Sequence, residues 1–65
     1  MSTIGKNIKR YRQEKGLSQD KLSKLADLSL NTVVKIELDE SPNHTIETIQ
    51  RIAKALGVSV DGLLT

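Results

Sequence analysis

The 65-residue chain has no cysteine, tryptophan or phenylalanine, and it has only one tyrosine, one histidine and one proline. The absence of cysteine excludes a disulfide framework and a thiolate metal site, and one histidine supplies too few ligands for a metal. No apolar run approaches the roughly 18 residues of a membrane span, and no apolar signal segment opens the chain. We therefore expect a cytoplasmic protein without a metal, a cofactor or an evident small-molecule substrate.

The near absence of aromatic residues limits what the core can be made of. Aromatic residues are 2% of the chain and hydrophobic residues 37%, so the core must consist of Ile, Leu, Val and Ala, which suits helices packed on helices. A chain of this length is expected to form one domain, spanning residues 1–65. Such a small core rarely provides more than about 3–5 kcal/mol of net stability.

Positive charge is concentrated in the first part of the chain. Residues 1–24 contain seven bases and two acids, for a net charge of +5, whereas residues 25–65 contain three bases and six acids, for −3. A basic segment suits a polyanionic partner. Charge alone, however, favours the simpler interpretation of a solvated helix face.

The most informative stretch is residues 18–38, which predicts two short helices joined by a tight turn. Ser18 and Ser29 are hydroxyl residues placed to cap helices over about 18–26 and 29–38. Apolar residues spaced three apart predict one buried stripe on each helix: Leu22 with Leu25, then Val33 with Ile36. The second helix keeps another face free, made of Asn31, Val34, Lys35 and Leu38. This is the arrangement that reads the DNA major groove.

The remaining sequence predicts three more helices and no strand. The first should run from Thr3 or Ile4 to Lys15 and end at Gly16, and residues 39–44 should form a loop. The fourth should be capped by Thr45 and ended by Gly57, and a short fifth should be capped by Ser59. The side chains expected to face the core from these last two helices are Ile46, Ile49, Ile52, Ala53, Leu56, Leu63 and Leu64.

The order and spacing of several short pieces resemble the phage repressor and Cro family of helix-turn-helix regulators. These pieces are Gly16-Leu17-Ser18-Gln19, Leu22, Leu28-Ser29, Thr32-Val33, Ile36-Glu37, Thr45, Ile49, Ile52-Ala53, Ala55-Leu56-Gly57-Val58 and Leu63-Leu64. The resemblance implies an all-α, five-helix, lambda repressor-like domain in a bacterial or phage-encoded, nucleoid-associated protein. The chain departs from the family in two ways. Val34 and Leu38 are apolar on a face where the family often carries polar residues. In addition, Ser23 replaces the usual alanine, and Asp27 replaces a glycine whose φ is positive. A non-glycine residue there is strained, although Asp tolerates it better than most.

The resemblance implies that the third helix reads bases, through Leu30, Asn31, Val34 and Lys35. Asn31 can bond adenine N6 and N7, and Lys35 can donate to guanine N7 or O6. Leu30 and Val34 can pack only against an apolar feature such as the thymine methyl group. The structural alternative is that Leu30 and Val34 are buried while Asn31 and Lys35 are merely solvated.

A second set of residues is expected to contact DNA phosphates and so to fix the register without reading sequence. Ser18 and Gln19 open the second helix, whose N–H groups suit an anion, and the family uses the glutamine for this contact. The other members of the set lie at the start of helix 3 and around the start of helix 4: Ser29, Thr32, Asn43, His44 and Thr45. The simpler interpretations are that Ser18 is only a cap and that His44 is only a surface loop residue.

The resemblance also implies an ion pair between Arg12, late in the first helix, and Glu37, which closes the third. If the pair is partly buried, the loss of one partner could cost up to about 3–5 kcal/mol. A pair on the surface would contribute about 0–1 kcal/mol.

These observations favour a sequence-specific double-stranded DNA-binding regulator, such as a repressor, over an enzyme, because no catalytic constellation is present. We expect a homodimer on a roughly palindromic site with half-sites about 34 Å apart. The expected dimer contact is C-terminal, through Val58, Val60 and Leu64. The alternative is a protein-interaction module, such as an antitoxin or an adaptor, which the apolar Leu30, Val34 and Leu38 would favour.

Overall fold

The structure is a computed structural model that describes residues 3–38 and 45–65. These residues form five helices: α1 (Thr3–Glu14), α2 (Gln19–Leu25), α3 (Leu30–Glu37), α4 (Ile46–Leu56) and α5 (Val60–Leu64). No residue within the described ranges lies in a strand. The all-α prediction with five helices is therefore confirmed, and the bounds of α1, α2 and α3 agree with expectation to within one residue. None of the helices in these ranges is long and apolar enough to cross a membrane.

Four of the helices begin with the same local hydrogen bond. The side-chain oxygens of Ser18, Ser29, Thr45 and Ser59 each accept from the backbone N–H three residues later, at 3.0–3.2 Å. Each bond satisfies a backbone donor that the helix itself cannot pair, and such a cap typically contributes about 1 kcal/mol. The four predicted caps are confirmed, and they explain why the helix starts could be located from sequence.

Three helices end at a residue in the left-handed conformation. These residues are Gly16, Asp27 and Gly57, with φ of 68°, 57° and 70°. In the turn after α2, Leu28 N donates to Ser23 O at 2.8 Å and Asp27 N donates to Lys24 O at 3.2 Å. This pair of bonds is the Schellman motif, in which glycine is usual. The predicted positive φ of Asp27 is confirmed, so the only non-glycine residue with positive φ in the described ranges forms the helix-turn-helix corner.

The core receives side chains from all five helices. Its fully buried members are Ile8, Leu22, Val33, Ile36, Ile52, Leu56 and Leu63. Tyr11, Leu17 and Leu28 are half-buried against them, and Leu28 lies in the turn between α2 and α3. The buried hydroxyl of Ser23 donates to Asp20 O at 2.6 Å, which satisfies its donor where the family usually has alanine.

Three side chains that the sequence assigned to the core are exposed: Leu25 by 57%, Ile46 by 65% and Leu64 by 53%. The buried positions of α2 and its C-cap are Leu22, Ser23 and Ala26, and residue 25 lies about 60–160° away from them around a helix with 100° per residue. Ile46 is the first residue of α4, and the first buried residue of this helix is Ile49. Leu64 follows the buried Leu63, and neighbouring helix residues point about 100° apart.

A close approach between α1 and α3 fixes how the third helix lies on the domain. A Cβ atom added to Gly5 would lie 2.5 Å from Ile36 O and 3.0 Å from Glu37 O. Only glycine allows the backbone of α1 to come this close to the last turn of α3. The C-terminal end of α3 is therefore held against α1, while α2 packs across it on another side.

Candidate nucleic-acid interface

The third helix has one buried face and one exposed face. Val33 and Ile36 are buried, at 0% and 1% exposure. On the other side Asn31 and Lys35 are exposed and Val34 is half-buried. Leu30 is 43% exposed and Leu38 is 61% exposed. The alternative in which Leu30 is a core residue is therefore wrong, and Val34 is half-buried rather than buried.

The exposed face of α3 offers both directional and apolar contacts. The amide of Asn31 has a donor and an acceptor on one edge, which is the pattern that adenine N6 and N7 complete. The ammonium group of Lys35 lies one helical turn further along and only donates. Leu30 precedes Asn31 and carries no hydrogen-bonding group in its side chain. A surface of this kind can distinguish base edges by hydrogen bonds as well as by apolar contact with the thymine methyl group.

Three of the predicted phosphate-contacting residues, Ser18, Ser29 and Thr45, are helix caps in this structure. Ser18 Oγ accepts from Lys21 N, and Ser29 Oγ accepts from Thr32 N at 3.1 Å and lies 2.8 Å from Thr32 Oγ1. Thr45 Oγ1 accepts from Thr48 N at 3.2 Å. A hydroxyl has two acceptor positions and one donor, so a cap can still offer a hydrogen bond outwards. The predictions for Asn43 and His44 lie outside the described residues.

Gln19, the first residue of α2, has a partner that the sequence did not indicate. Its Nε2 donates to Glu37 Oε1 at 3.0 Å, and the residue is half-buried. The two residues are 18 positions apart and belong to different helices. The side chain therefore has a defined orientation, with one amide N–H already bonded.

The predicted pair between Arg12 and Glu37 forms with two hydrogen bonds. Arg12 Nε lies 2.6 Å from Glu37 Oε2, and Arg12 Nη2 lies 3.0 Å from Glu37 Oε1. The side chains are 11% and 3% exposed, so the alternative of a surface pair is wrong. The remaining Arg12 nitrogen, Nη1, donates to Leu17 O at 2.8 Å. Breaking such a shielded pair strands the other charge, with a cost of about 3–5 kcal/mol.

A second arginine network supports the helix-turn-helix corner and was not predicted. Arg51 Nη1 donates to Asp27 O at 3.2 Å and lies 3.7 Å from Asp27 Oδ2. Arg51 Nη2 donates to Glu47 Oε1 at 2.8 Å. The four-residue spacing of Glu47 and Arg51 on α4 is the sequence signal that could have indicated part of it. The contact with Asp27 has no such signal.

Within the part of the chain that the structure describes, no three His, Asp or Glu side chains come together as a metal site would require. The candidate interface consists of the exposed face of α3 and the first residues of α2, and the Arg12–Glu37 pair holds α3 in place.

Residues 8–63 match the helix-turn-helix family, and the chain belongs to this family, as the resemblance to lambda repressor-like regulators predicted. The chain is 36% identical over 61 residues to the HTH-type transcriptional regulator SinR of Bacillus subtilis, covering 94% of this chain and 55% of SinR. It is 36% identical over 62 residues to the immunity repressor protein of Bacillus phage phi105, covering 95% of this chain and 42% of the repressor. The chain thus spans about half the length of these two relatives. The control protein C.SmaI of Serratia marcescens is also 36% identical over 62 residues, which cover 95% of this chain and 73% of C.SmaI.

The same fold is found in solved structures of other proteins. SinR, the master regulator for biofilm formation, in complex with DNA superposes with a TM-score of 0.90 at 35% identity, over 95% of this chain and 98% of that one. Hydroxypropylphosphonic acid epoxidase from S. wedmorenis superposes with a TM-score of 0.88 at 25% identity, over 98% of this chain but only 34% of the epoxidase. The three curated relatives named above are regulators and not enzymes, in agreement with the sequence interpretation. The epoxidase shows that the fold also occurs as part of an enzyme, so the fold alone does not define the function of this chain.

Proposed function

We propose that the chain is a sequence-specific double-stranded DNA-binding transcriptional regulator, most simply a repressor, that reads the major groove with α3. The observation that carries this proposal is the division of α3 into a buried face and an exposed face with Asn31 and Lys35. The likeness to SinR bound to DNA supports it. Residues 1–65 would act as one DNA-binding unit, and a protein with this role would be found in the cytoplasm, at the nucleoid.

Base recognition would come from four side chains. Asn31 would form a bidentate pair with adenine, and Lys35 would donate to guanine. Leu30 and Val34 would pack against thymine methyl groups, and the 43% exposure of Leu30 leaves area for such a contact. A half-site with A·T pairs under the start of α3 would satisfy this pattern.

Phosphate contacts would set the position of α3 in the groove. Ser18 and Gln19 would contact the backbone on one side of the groove, and Thr45, with Asn43 and His44, would do so on the other. Ser29 and Thr32 would add contacts at the start of α3. These contacts would contribute affinity on any duplex, because a phosphate carries no sequence information.

A homodimer would place two copies of α3 in successive major grooves of a roughly palindromic site, with half-sites about 34 Å apart. The C-terminal residues support this arrangement, since Leu64 is 53% exposed and Val58 and Val60 are only half-buried. Sedimentation of the protein with and without a two-half-site duplex tests the stoichiometry. One copy per full site would contradict the dimer without affecting the role of α3.

The DNA-binding proposal is tested by measuring affinity for a random-sequence duplex at several salt concentrations. A protein that neutralises phosphates should show a steep linear fall of log K with log salt, because binding releases counterions. Selection of duplexes from a random pool then supplies the preferred site. No binding at low salt, or a flat salt response, would contradict the proposal.

The second candidate function is a protein-interaction module, such as an antitoxin or an adaptor. The exposed apolar side chains of Leu30 and Leu38, at 43% and 61%, are the observation that favours it. In that case Asn31→Ala would leave duplex binding unchanged. A protein that fails the salt test but whose Leu30→Asp variant loses a protein partner would support this second function.

A further inference from the structure

The carboxylate of Glu37 joins three helices. It accepts from Arg12 of α1 through Nε at 2.6 Å and Nη2 at 3.0 Å, and from Gln19 Nε2 at the start of α2 at 3.0 Å. Its side chain is 3% exposed, so water competes weakly for these bonds. The last residue of α3 thus contacts both the scaffold and a side chain at the proposed DNA surface.

The chemistry of the three groups gives the Gln19 amide a single orientation. A carboxylate only accepts hydrogen bonds, so the amide nitrogen of Gln19 must face Glu37 and the amide oxygen must face away. Arg12 fixes the carboxylate in turn, because its two donors occupy both oxygens and its third nitrogen is held by Leu17 O at 2.8 Å. One N–H and the carbonyl oxygen of Gln19 remain for other partners. A phosphate oxygen also only accepts, so this one N–H is the atom that can bind it.

We infer that Glu37 is a positioning residue for DNA binding, because it holds the amide of Gln19 with its remaining N–H directed to a DNA phosphate. This inference rests on the proposed function and identifies how one of its contacts is oriented. An amide that is already ordered loses less conformational freedom when DNA binds. Gln19 therefore contributes its full share of affinity only when Glu37 is in place.

A double-mutant cycle tests this coupling. Affinity for a random-sequence duplex is measured at low salt for the native protein, Gln19→Ala, Glu37→Gln and the double variant, at a temperature where circular dichroism shows each to be folded. In the native background, Gln19→Ala should lower the affinity for the duplex about tenfold, as expected for the loss of a hydrogen bond to a charged group. In the Glu37→Gln protein the same substitution should weaken binding less than about threefold, because the new amide has a single acceptor oxygen and the two Arg12 donors compete with Gln19 for it. Equal fold-changes in the two backgrounds would overturn the inference.

Asn31→Ala is the matched control for a purely structural role of Glu37. Asn31 is exposed at the start of α3 and does not contact Glu37, so its fold-change on the selected duplex should be the same in both backgrounds. If the effect of Asn31→Ala also shrinks in the Glu37→Gln protein, Glu37 acts by placing α3 as a whole. That outcome would overturn the inference.

A measurement on the native protein covers the case in which Glu37→Gln does not fold. The side-chain amide of Gln19 should have a higher NMR order parameter than those of Gln13 and Gln50, which are both exposed. Equal mobility of the three amides would overturn the inference. A native protein that binds no duplex would reject the proposed function and this inference together, whereas binding without coupling would reject the inference alone.

Discussion

Replacing Asp27 by glycine should stabilise the protein, although it removes a charged side chain with a partner. Asp27 has a φ of 57° and forms the left-handed residue of the turn between α2 and α3. The conformation costs an L-residue with a Cβ about 1–2 kcal/mol. Its side chain is 96% exposed, and its carboxylate lies 3.7 Å from Arg51 Nη1, so little of this strain is recovered by the side chain.

Two terms oppose the relief of strain. Glycine has more freedom to lose on folding, which costs about 0.4–1 kcal/mol. The exposed pair with Arg51 contributes near the lower end of about 0–1 kcal/mol, and the substitution leaves the bond from Arg51 to Asp27 O at 3.2 Å intact. Relief of strain should narrowly exceed the sum of these two terms. We therefore expect a gain of a few tenths to about 1 kcal/mol and a rise in Tm of about 2–6 °C.

Urea and thermal unfolding followed by circular dichroism measure this gain. Two variants separate the causes. Gly16 has the same conformation, with a φ of 68°, and a Cβ there would meet no atom within 4 Å, so Gly16→Asp should destabilise by a similar amount. Asp27→Ala also removes the charge but keeps the strained Cβ, so it should not stabilise the protein. That result would show that the gain in Asp27→Gly does not come from loss of the charge. A loss of stability in Asp27→Gly would show that local strain does not govern this turn.

The remaining predictions concern the placement and the chemistry of α3. Glu37→Gln should lower the free energy of unfolding by up to about 3–5 kcal/mol, whereas Glu14→Gln, at an exposed site of α1, should change it by less than about 0.5 kcal/mol; matching urea midpoints would contradict a stabilising pair. Gly5→Ala should destabilise by about 1–2 kcal/mol, because the contact with the α3 backbone outweighs the better helix propensity of alanine; greater stability would mean that α1 can move away from α3. Asn31→Ala should weaken binding to the selected site by about 1–3 kcal/mol; an equal loss on random DNA would reject a base-reading role.

The family relationship and the fold were both accessible from sequence, but the site was only partly so. The exposed face of α3 followed from its apolar spacing. The Arg12–Glu37 pair came from the resemblance to a family, because no spacing rule connects residues 25 positions apart on two helices. The hydrogen bond between Gln19 and Glu37 had no signal of either kind. It changes how Gln19 is understood, from an isolated phosphate contact to a side chain with a fixed orientation.

What the sequence by itself determined is the set of helix ends. A cap such as Ser18 bonds the N–H of Lys21, three residues away, and the turn at Asp27 closes between Ser23 and Leu28. Such bonds depend only on residues within one turn of chain, so composition and spacing suffice to locate them. The tertiary structure alone decided that Leu25 and Ile46 are exposed and that Gln19 meets Glu37. Those outcomes depend on where one helix crosses another, and helix packing angles vary too widely to be read from a periodic pattern.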